Sequence, residues 1–68
     1  MTRLIVAKID DDYVRLSGEG GERCSLGQAS VFPESQAAEL GARLAMLGEG
    51  WEKARLMLLI ITEEPYGG

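Results

Sequence analysis

A run of large apolar residues at positions 56–61 constrains the fold of this chain more than any other feature. If the run is a strand, its side chains alternate between two faces. One face then carries Leu56, Leu58 and Ile60, and the other carries Met57, Leu59 and Ile61. A chain of 68 residues has room for one good helix, which covers only one face of a sheet. The second face needs another cover, and we expect a partner chain to supply it.

The first part of the chain has the pattern of an antiparallel meander. Residues 3–9 alternate around aliphatic and β-branched side chains, which predicts the first strand. The acidic run 10–12 fits a hairpin turn, because aspartate disfavours strand interiors and bonds to nearby backbone. Residues 13–17 alternate as a second strand, and the glycine-rich segment 18–22 fits a flexible turn. Residues 23–26 are predicted to form a short third strand.

One helix is predicted between Pro33, which fits a first helical position, and Gly48, which fits a stop signal. Its apolar positions recur at helical spacing and would face the sheet: Ala37, Leu40, Gly41, Leu44 and Leu47. A glycine inside such a stripe costs about 1 kcal/mol of helix stability relative to alanine. We therefore expect a close approach of the helix to the sheet at Gly41.

The last element is predicted to be a strand over residues 54–63. A helix over residues 51–61 is the alternative, because good helix formers precede the apolar run, whereas the β-branched residues that end the run favour a strand. The order β-β-β-α-β predicts a single small α+β domain over residues 1–68, with an antiparallel-type sheet packed on one helix. We expect the last strand to pair beside the first, with both central in the sheet.

The composition removes most catalytic and metal chemistry. The sequence contains no histidine, which excludes Ser-His-Asp and Cys-His nucleophiles and most zinc sites. Cys24 is the only cysteine, so no disulfide can form within the chain, and we expect a small buried apolar residue there. The sequence predicts a protein without metal, cofactor or enzymatic activity. A small enzyme with a site formed between two chains is the alternative.

Two segments resemble ligand-binding loops and fail at the positions that define them. An EF-hand loop beginning at Asp10 would put Val14 at a ligand position and Gly21 at the bidentate carboxylate position. We therefore expect residues 10–12 to be a solvated hairpin tip, with a looser cation site as the alternative. The glycine-rich segment has Arg23 where a dinucleotide-binding loop needs glycine, so nucleotide binding is not predicted.

The charge pattern restricts the partners. Seven basic and eleven acidic residues give a net charge of −4, and the basic residues are scattered among acidic ones. Direct binding of nucleic acid is not expected, since it needs clustered cations to neutralise phosphates. No apolar run approaches the roughly 20 residues of a membrane-spanning helix, and the first residues lack a secretory-signal pattern. We expect a cytoplasmic protein without a membrane partner.

The last five residues are Glu64-Pro65-Tyr66-Gly67-Gly68, a diglycine that follows an apolar strand. This ending resembles the ubiquitin-like and sulfur-carrier proteins of the β-grasp family. In that family a terminal Gly-Gly is adenylated and then carries sulfur or a protein linkage. The resemblance implies that Gly67 and Gly68 act as such a tail. The chain departs from the family in the short loop between its helix and last strand, where the family has a longer segment with another strand.

The function predicted from these observations is a non-enzymatic protein-interaction or regulatory module. It would work as a homodimer or in complex with a larger protein, and its dimer interface would lie within residues 56–61. Compact acidic chains of this kind are frequent among phage and mobile-element accessory proteins that inhibit or redirect host proteins. Trp51 is either a cap on the core or an exposed binding anchor, and Tyr13 and Tyr66 could extend its surface. The diglycine tail is the alternative functional site.

Overall fold

The computed structural model of the protein describes residues 1–18 and 20–67, which form five strands and one α-helix. The elements are β1 (Thr2–Ile9), β2 (Asp12–Ser17), β3 (Gly20–Cys24), β4 (Val31–Pro33), α1 (Ala37–Ala45) and β5 (Arg55–Ile61). Short 3₁₀ turns precede β4 and α1. All strand pairs are antiparallel, and one helix packs on the sheet. The predicted α+β fold class is confirmed.

β1 is the central strand of the sheet. One of its edges pairs with β5 over nearly its whole length, from Thr2 opposite Ile61 to Lys8 opposite Arg55. The other edge is shared, since β2 pairs only with the last two residues of β1 and β4 pairs with residues 4–6. β3 pairs with β2 at the far side of the sheet. β5 therefore lies beside β1, as the sequence predicts.

Ser30 joins the diverging strands β2 and β4. Its backbone N–H donates to the carbonyl of Val14 at 3.2 Å, and its Oγ accepts from the N–H of Leu16 at 2.9 Å. A small hydroxyl side chain thus satisfies backbone groups that β2 exposes where it leaves β1. The sheet stays continuous across this split.

The core lies between α1 and one face of the sheet, which we call the helix face. Its buried side chains come from β1, β2 and α1: Ile5, Ala7, Ile9, Val14, Leu40 and Leu44. A half-buried ring packs around them: Leu16, Phe32, Ala37, Leu47, Trp51, Ala54 and Leu56. The apolar helix stripe predicted from the sequence supplies four of these residues, because positions three and four apart fall on the same side of a helix.

Several boundaries differ from those predicted. The segment before the helix contains the short strand β4, and Pro33 ends that strand rather than beginning the helix. A 3₁₀ turn over Glu34–Gln36 separates Pro33 from α1, which begins at Ala37. Proline suits this place because it has no N–H to give to a sheet and interrupts pairing. The expectation that β5 is central is wrong, because β5 pairs only with β1 among the described strands.

The predicted close approach at Gly41 is also wrong. A Cβ atom at Gly41 would meet no atom within 4 Å. The tight contact is instead at Gly21 in β3, where a Cβ would lie 3.2 Å from Leu47 Cδ1 and 3.3 Å from Leu16 Cδ2. These distances are shorter than ordinary van der Waals contact, so Gly21 is the glycine that lets the end of the helix approach the sheet.

The molecule is elongated, with principal extents of 45 × 23 × 21 Å. Its radius of gyration is 12.9 Å, whereas a compact domain of this length has about 11 Å. Its accessible surface is 4966 Å², whereas a folded monomer of this mass exposes about 4,200 Å². Five of the seven residues of β5 are exposed, as are all of residues 62–67.

Candidate functional site: an exposed apolar strand

β5 carries apolar side chains on both faces of the sheet, and the helix covers only its beginning. On the helix face, Leu56 lies opposite Ala7 and packs against the core. The next two residues on that face, Leu58 and Ile60, extend past the helix and are 42% and 56% exposed. Cross-strand partners in an antiparallel pair share a face, so Leu58 continues the row that begins with Ile5 in β1.

The opposite face, which we call the open face, has its own apolar row. Val6 is fully buried at its centre, flanked in register by Met57 in β5 and Val31 in β4. Met57 and Val31 are 37% and 39% exposed, and Ile61 lies at the end of the row with 39% exposure. Leu59 is half-buried opposite Leu4. α1 packs on the other face, so this row is covered only by its own neighbours.

Two of the outer strands of the sheet, β3 and β5, differ sharply. β3 is 5 residues long and contains two glycines, a glutamate and an arginine. β5 is 7 residues long, and from Leu56 to Ile61 it contains neither a charge nor a proline. Natural sheets protect a free edge with charged residues, proline or short strands. We call the side of β5 away from β1 the outer edge, and between Leu56 and Ile61 it has neither a charged residue nor a proline.

The three aromatic residues that the sequence suggests as a binding surface do not lie together. Trp51 is half-buried and packs against the core on the helix face. Tyr13 is half-buried opposite Lys8, whose Nζ lies 5.2 Å above the Tyr13 ring centre, on the open face. Tyr66 is fully exposed beyond the end of β5. Trp51 and Tyr13 thus lie on opposite faces, and only Tyr66 is free of packing.

Like charges face each other at the start of β5. Lys8 lies directly opposite Arg55 across the β1–β5 ladder, an arrangement that is destabilising between strands. The cation–π contact with the Tyr13 ring stabilises the Lys8 ammonium in this position. Within residues 1–18 and 20–67, Arg55 forms no ion pair.

One arginine offsets part of the negative charge of the acidic turn. Asp10 adopts a positive φ of 53°, and the Arg23 guanidinium binds both Asp10 and Asp12, at 3.2 and 2.9 Å. The Arg23 guanidinium therefore occupies the position that a metal cation would take between these two carboxylates. In the described part of the chain, no three His, Cys, Asp or Glu side chains group in a way that could hold a metal ion. The solvated hairpin tip stays a prediction for experiment.

A second arginine pair ties β1 to the turn before α1. Arg3 donates from Nε to Glu34 Oε1 at 3.0 Å and from Nη2 to Oε2 at 3.3 Å. These hydrogen bonds, and then the charge of Arg3, lower the pKa of the Glu34 carboxyl below its ordinary value. The pair lies on the surface and fixes the first residues of β1 near the start of the helix.

One cleft of the molecule lies beside the end of the helix. A cleft of about 410 Å³ lies between the β2–β3 turn and the end of α1, lined by Leu16, Gly18, Gly20, Arg43, Met46 and Leu47. Arg43 is the charged residue of this lining, and its Nη2 donates to the Gly18 carbonyl at 3.2 Å. The described lining residues therefore present an apolar wall with one cation, Arg43.

The diglycine tail is only partly described. Gly67 lies in an exposed turn with φ 85°, and Gly68 lies outside the described residues. The predicted role of Gly67 and Gly68 therefore stays a prediction. Cys24 is half-buried opposite Tyr13 rather than in the core. No helix within the described ranges is long and apolar enough to cross a membrane.

Comparison with protein-family models, with curated proteins and with solved structures finds no match to this chain. The inference of function therefore rests on the exposed apolar strand itself. The sequence identifies its residues but not its position, since two-sided apolar character is typical of a central strand as well as of an edge that binds a partner.

Proposed function

We propose that this protein is a non-enzymatic protein-interaction module that works as a homodimer through β5. The observation that carries the proposal is the exposure of Met57, Leu58, Ile60 and Ile61 on one short strand. Fully burying one such side chain contributes about 1.5–3 kcal/mol. A small domain has a total stability of only about 5–15 kcal/mol, so this surface is a large unused source of stability.

The amount of exposed surface supports the same proposal. The chain exposes 4966 Å², about 750 Å² more than a compact monomer of its mass. A standard protein–protein interface buries about 800 Å² on each partner. An interface centred on β5 would bring the exposed surface per chain close to that of a compact protein.

The test is the mass of the protein in solution. Light scattering at high micromolar concentration should return twice the chain mass of 7.4 kDa. Ile60→Lys should shift the mass to that of the monomer, because a charge at a 56% exposed position leaves the fold intact and repels an apolar partner.

A matched control uses another exposed apolar residue. Met46, after the end of α1, is 85% exposed and lies away from β5. Met46→Lys should leave the dimer unchanged, since it adds the same charge at a different surface. A monomeric parent protein at high micromolar concentration would overturn the proposal. An Ile60→Lys variant that is still dimeric would move the interface away from β5.

A further inference from the structure

We propose that β5 pairs along its outer edge with β5 of a second copy, antiparallel and centred on Leu58, so that two sheets become one continuous sheet. This inference rests on the homodimer proposed above and specifies its geometry. It is argued from the direction of backbone groups, the register of side chains and the charges at the ends of the strand.

Pro33 indicates to which neighbouring strand each residue of β1 directs its backbone N–H and C=O groups. Leu4 lies opposite Pro33, which has no N–H, so this pair belongs to the type without hydrogen bonds. The two types alternate along an antiparallel ladder, so Ile5 exchanges its hydrogen bonds with Phe32 in β4. Alternate residues of a strand direct their backbone groups to opposite edges. Leu4 and Val6 therefore bond to β5.

The same alternation fixes the backbone of β5. The residues opposite Leu4 and Val6 are Leu59 and Met57, which direct their N–H and C=O groups to β1. Their neighbours direct these groups to the outer edge: Leu56, Leu58 and Ile60. An unpaired row of donors and acceptors on an apolar strand is a template for another strand.

The sequence of β5 is self-complementary about Leu58. In an antiparallel pair centred there, Leu58 faces Leu58 of the second copy, and Leu56 faces Ile60. All three of these residues direct backbone groups to the outer edge, so each such pair can exchange hydrogen bonds. Met57 faces Leu59 of the second copy on the open face. The five central pairs are then between two large apolar side chains, and at each end Arg55 faces Ile61 of the second copy.

Edge pairing also explains why exposed residues occur on both faces. Leu58 and Ile60 lie on the helix face, whereas Met57 and Ile61 lie on the open face. Stacking two copies face to face would cover only one of these pairs. The outer edge is the feature that all four residues share, and a strand placed against it gives a neighbour to each of them.

The charges at the ends of β5 are complementary in this register. Arg55 faces the like charge of Lys8 within its own chain. β5 ends at Ile61, and with the strand extended by two residues on pairing, Glu63 would lie on the same face as Ile61, diagonal to Arg55 of the second copy. Two such contacts form in each dimer, one at each end. The second copy thus supplies the counter-charge that Arg55 does not find within residues 1–18 and 20–67.

Disulfide cross-linking tests the register. In a Cys24→Ser background, Leu58→Cys should form a covalent dimer under mild oxidation. Hydrogen-bonded pairs have Cα atoms about 5.5 Å apart, within the roughly 4.4–6.8 Å that a disulfide spans. Leu56→Cys and Ile60→Cys should each stay monomeric on a non-reducing gel, because their equivalents are about 13 Å apart. Mixing the Leu56→Cys and Ile60→Cys proteins should restore the cross-link.

The outcomes separate this inference from the proposed function. A parent protein that is monomeric by light scattering overturns both. A dimer in which Leu58→Cys does not cross-link, or in which Ile60→Cys cross-links with itself, retains the homodimer and overturns the register. Failure of the Leu56→Cys and Ile60→Cys mixture to cross-link also overturns the register, since that pair tests the alignment away from the centre.

Discussion

The β3 end and the β5 end of the sheet differ in how their edge strands are covered and protected. At the β3 end, glycines allow close packing, the strand is short, and Arg15 and Glu22 form an ion pair across β2 and β3. Trp51 and Leu47 close the core beneath this end. At the β5 end, large apolar side chains lie on both faces and the helix reaches only Leu56. The first end is closed within one chain, whereas the second leaves large apolar side chains exposed, which our proposal covers with a partner strand.

This difference follows from the length of the helix. α1 has 9 residues and spans about 14 Å at 1.5 Å per residue. β5 with 7 residues spans about 23 Å at about 3.3 Å per residue. A helix of this length cannot cover all strands of the sheet from end to end. The sequence places its glycines and charges at one end and its aliphatic residues at the other, so the uncovered part falls on β5.

Among the substitutions that test this comparison, the largest loss of stability is expected from a change at Trp51. Trp51→Ala should lower the free energy of unfolding by about 3 kcal/mol, because the indole packs against the core in a half-buried position. Urea unfolding followed by circular dichroism measures this loss, since Trp51 is the only tryptophan and its fluorescence disappears with it. The loss should be the same at every protein concentration, because the contacts lie within one chain.

Tyr66→Ala is the control for Trp51→Ala. Tyr66 is a fully exposed aromatic residue beyond β5, so its removal should leave the unfolding free energy unchanged. If Trp51→Ala proves as stable as the parent, the residue is not a cap on the core, and the β3 end is less complete than the contacts indicate.

Gly21 gives the second test of close packing at the β3 end. Gly21→Val should cost about 1–3 kcal/mol, because its side chain would overlap Leu47 and Leu16. Gly20→Val is the matched control in the same strand, since a Cβ there meets only the Ser17 carbonyl at 3.9 Å. Urea midpoints of the two variants should differ clearly. Equal stability would show that the leucine side chains can move aside.

Local sequence patterns predict the type of each secondary-structure element well, and the place of each strand in the sheet less well. The strand character of residues 55–61, the pairing of β5 with β1 and the helix stripe at Leu40 and Leu44 all follow from local patterns. The edge position of β5 and the split between β2 and β4 do not, because they depend on which strand takes each side of β1. The role of Ser30 depends on that split as well.

The glycine positions show the same limit of local reasoning. Gly41 lies in the apolar stripe, yet it lines a cleft that separates it from Arg55 and Leu56 at the start of β5 instead of packing against a strand. Gly21 lies in a segment typical of a flexible turn, yet it belongs to β3. A pattern identifies which residues are small, but the contact that requires smallness comes from residues distant in the sequence.

Gly41→Ala should have a smaller effect of the opposite sign. The substitution should raise the free energy of unfolding by up to about 1 kcal/mol, because alanine favours the helix and a Cβ at this place meets no atom within 4 Å. Thermal and urea unfolding both measure the change. A loss of stability would mean that the helix lies closer to the sheet here than at Gly21, and would reverse the contrast between the two glycines.

The smallest effect is expected from the ion pair that links β1 to the turn before the helix. The Arg3 hydrogen bonds lower the pKa of Glu34 in the folded protein. The resulting stability is present above the unfolded pKa of about 4.3 and is lost as the pH falls through the lower folded value. Both side chains are about half exposed, so the contribution is that of a surface pair and is screened by salt.

Glu34→Gln measures this contribution against pH. The parent should be slightly more stable than the variant near neutral pH, and the difference should shrink as the pH falls below the unfolded pKa and vanish below the lowered folded pKa of Glu34. Arg3→Gln should remove the same pH-dependent difference, and the double variant should add nothing further, because both single changes break one interaction. A difference that persists in acid would mean that Glu34 acts through packing instead of charge.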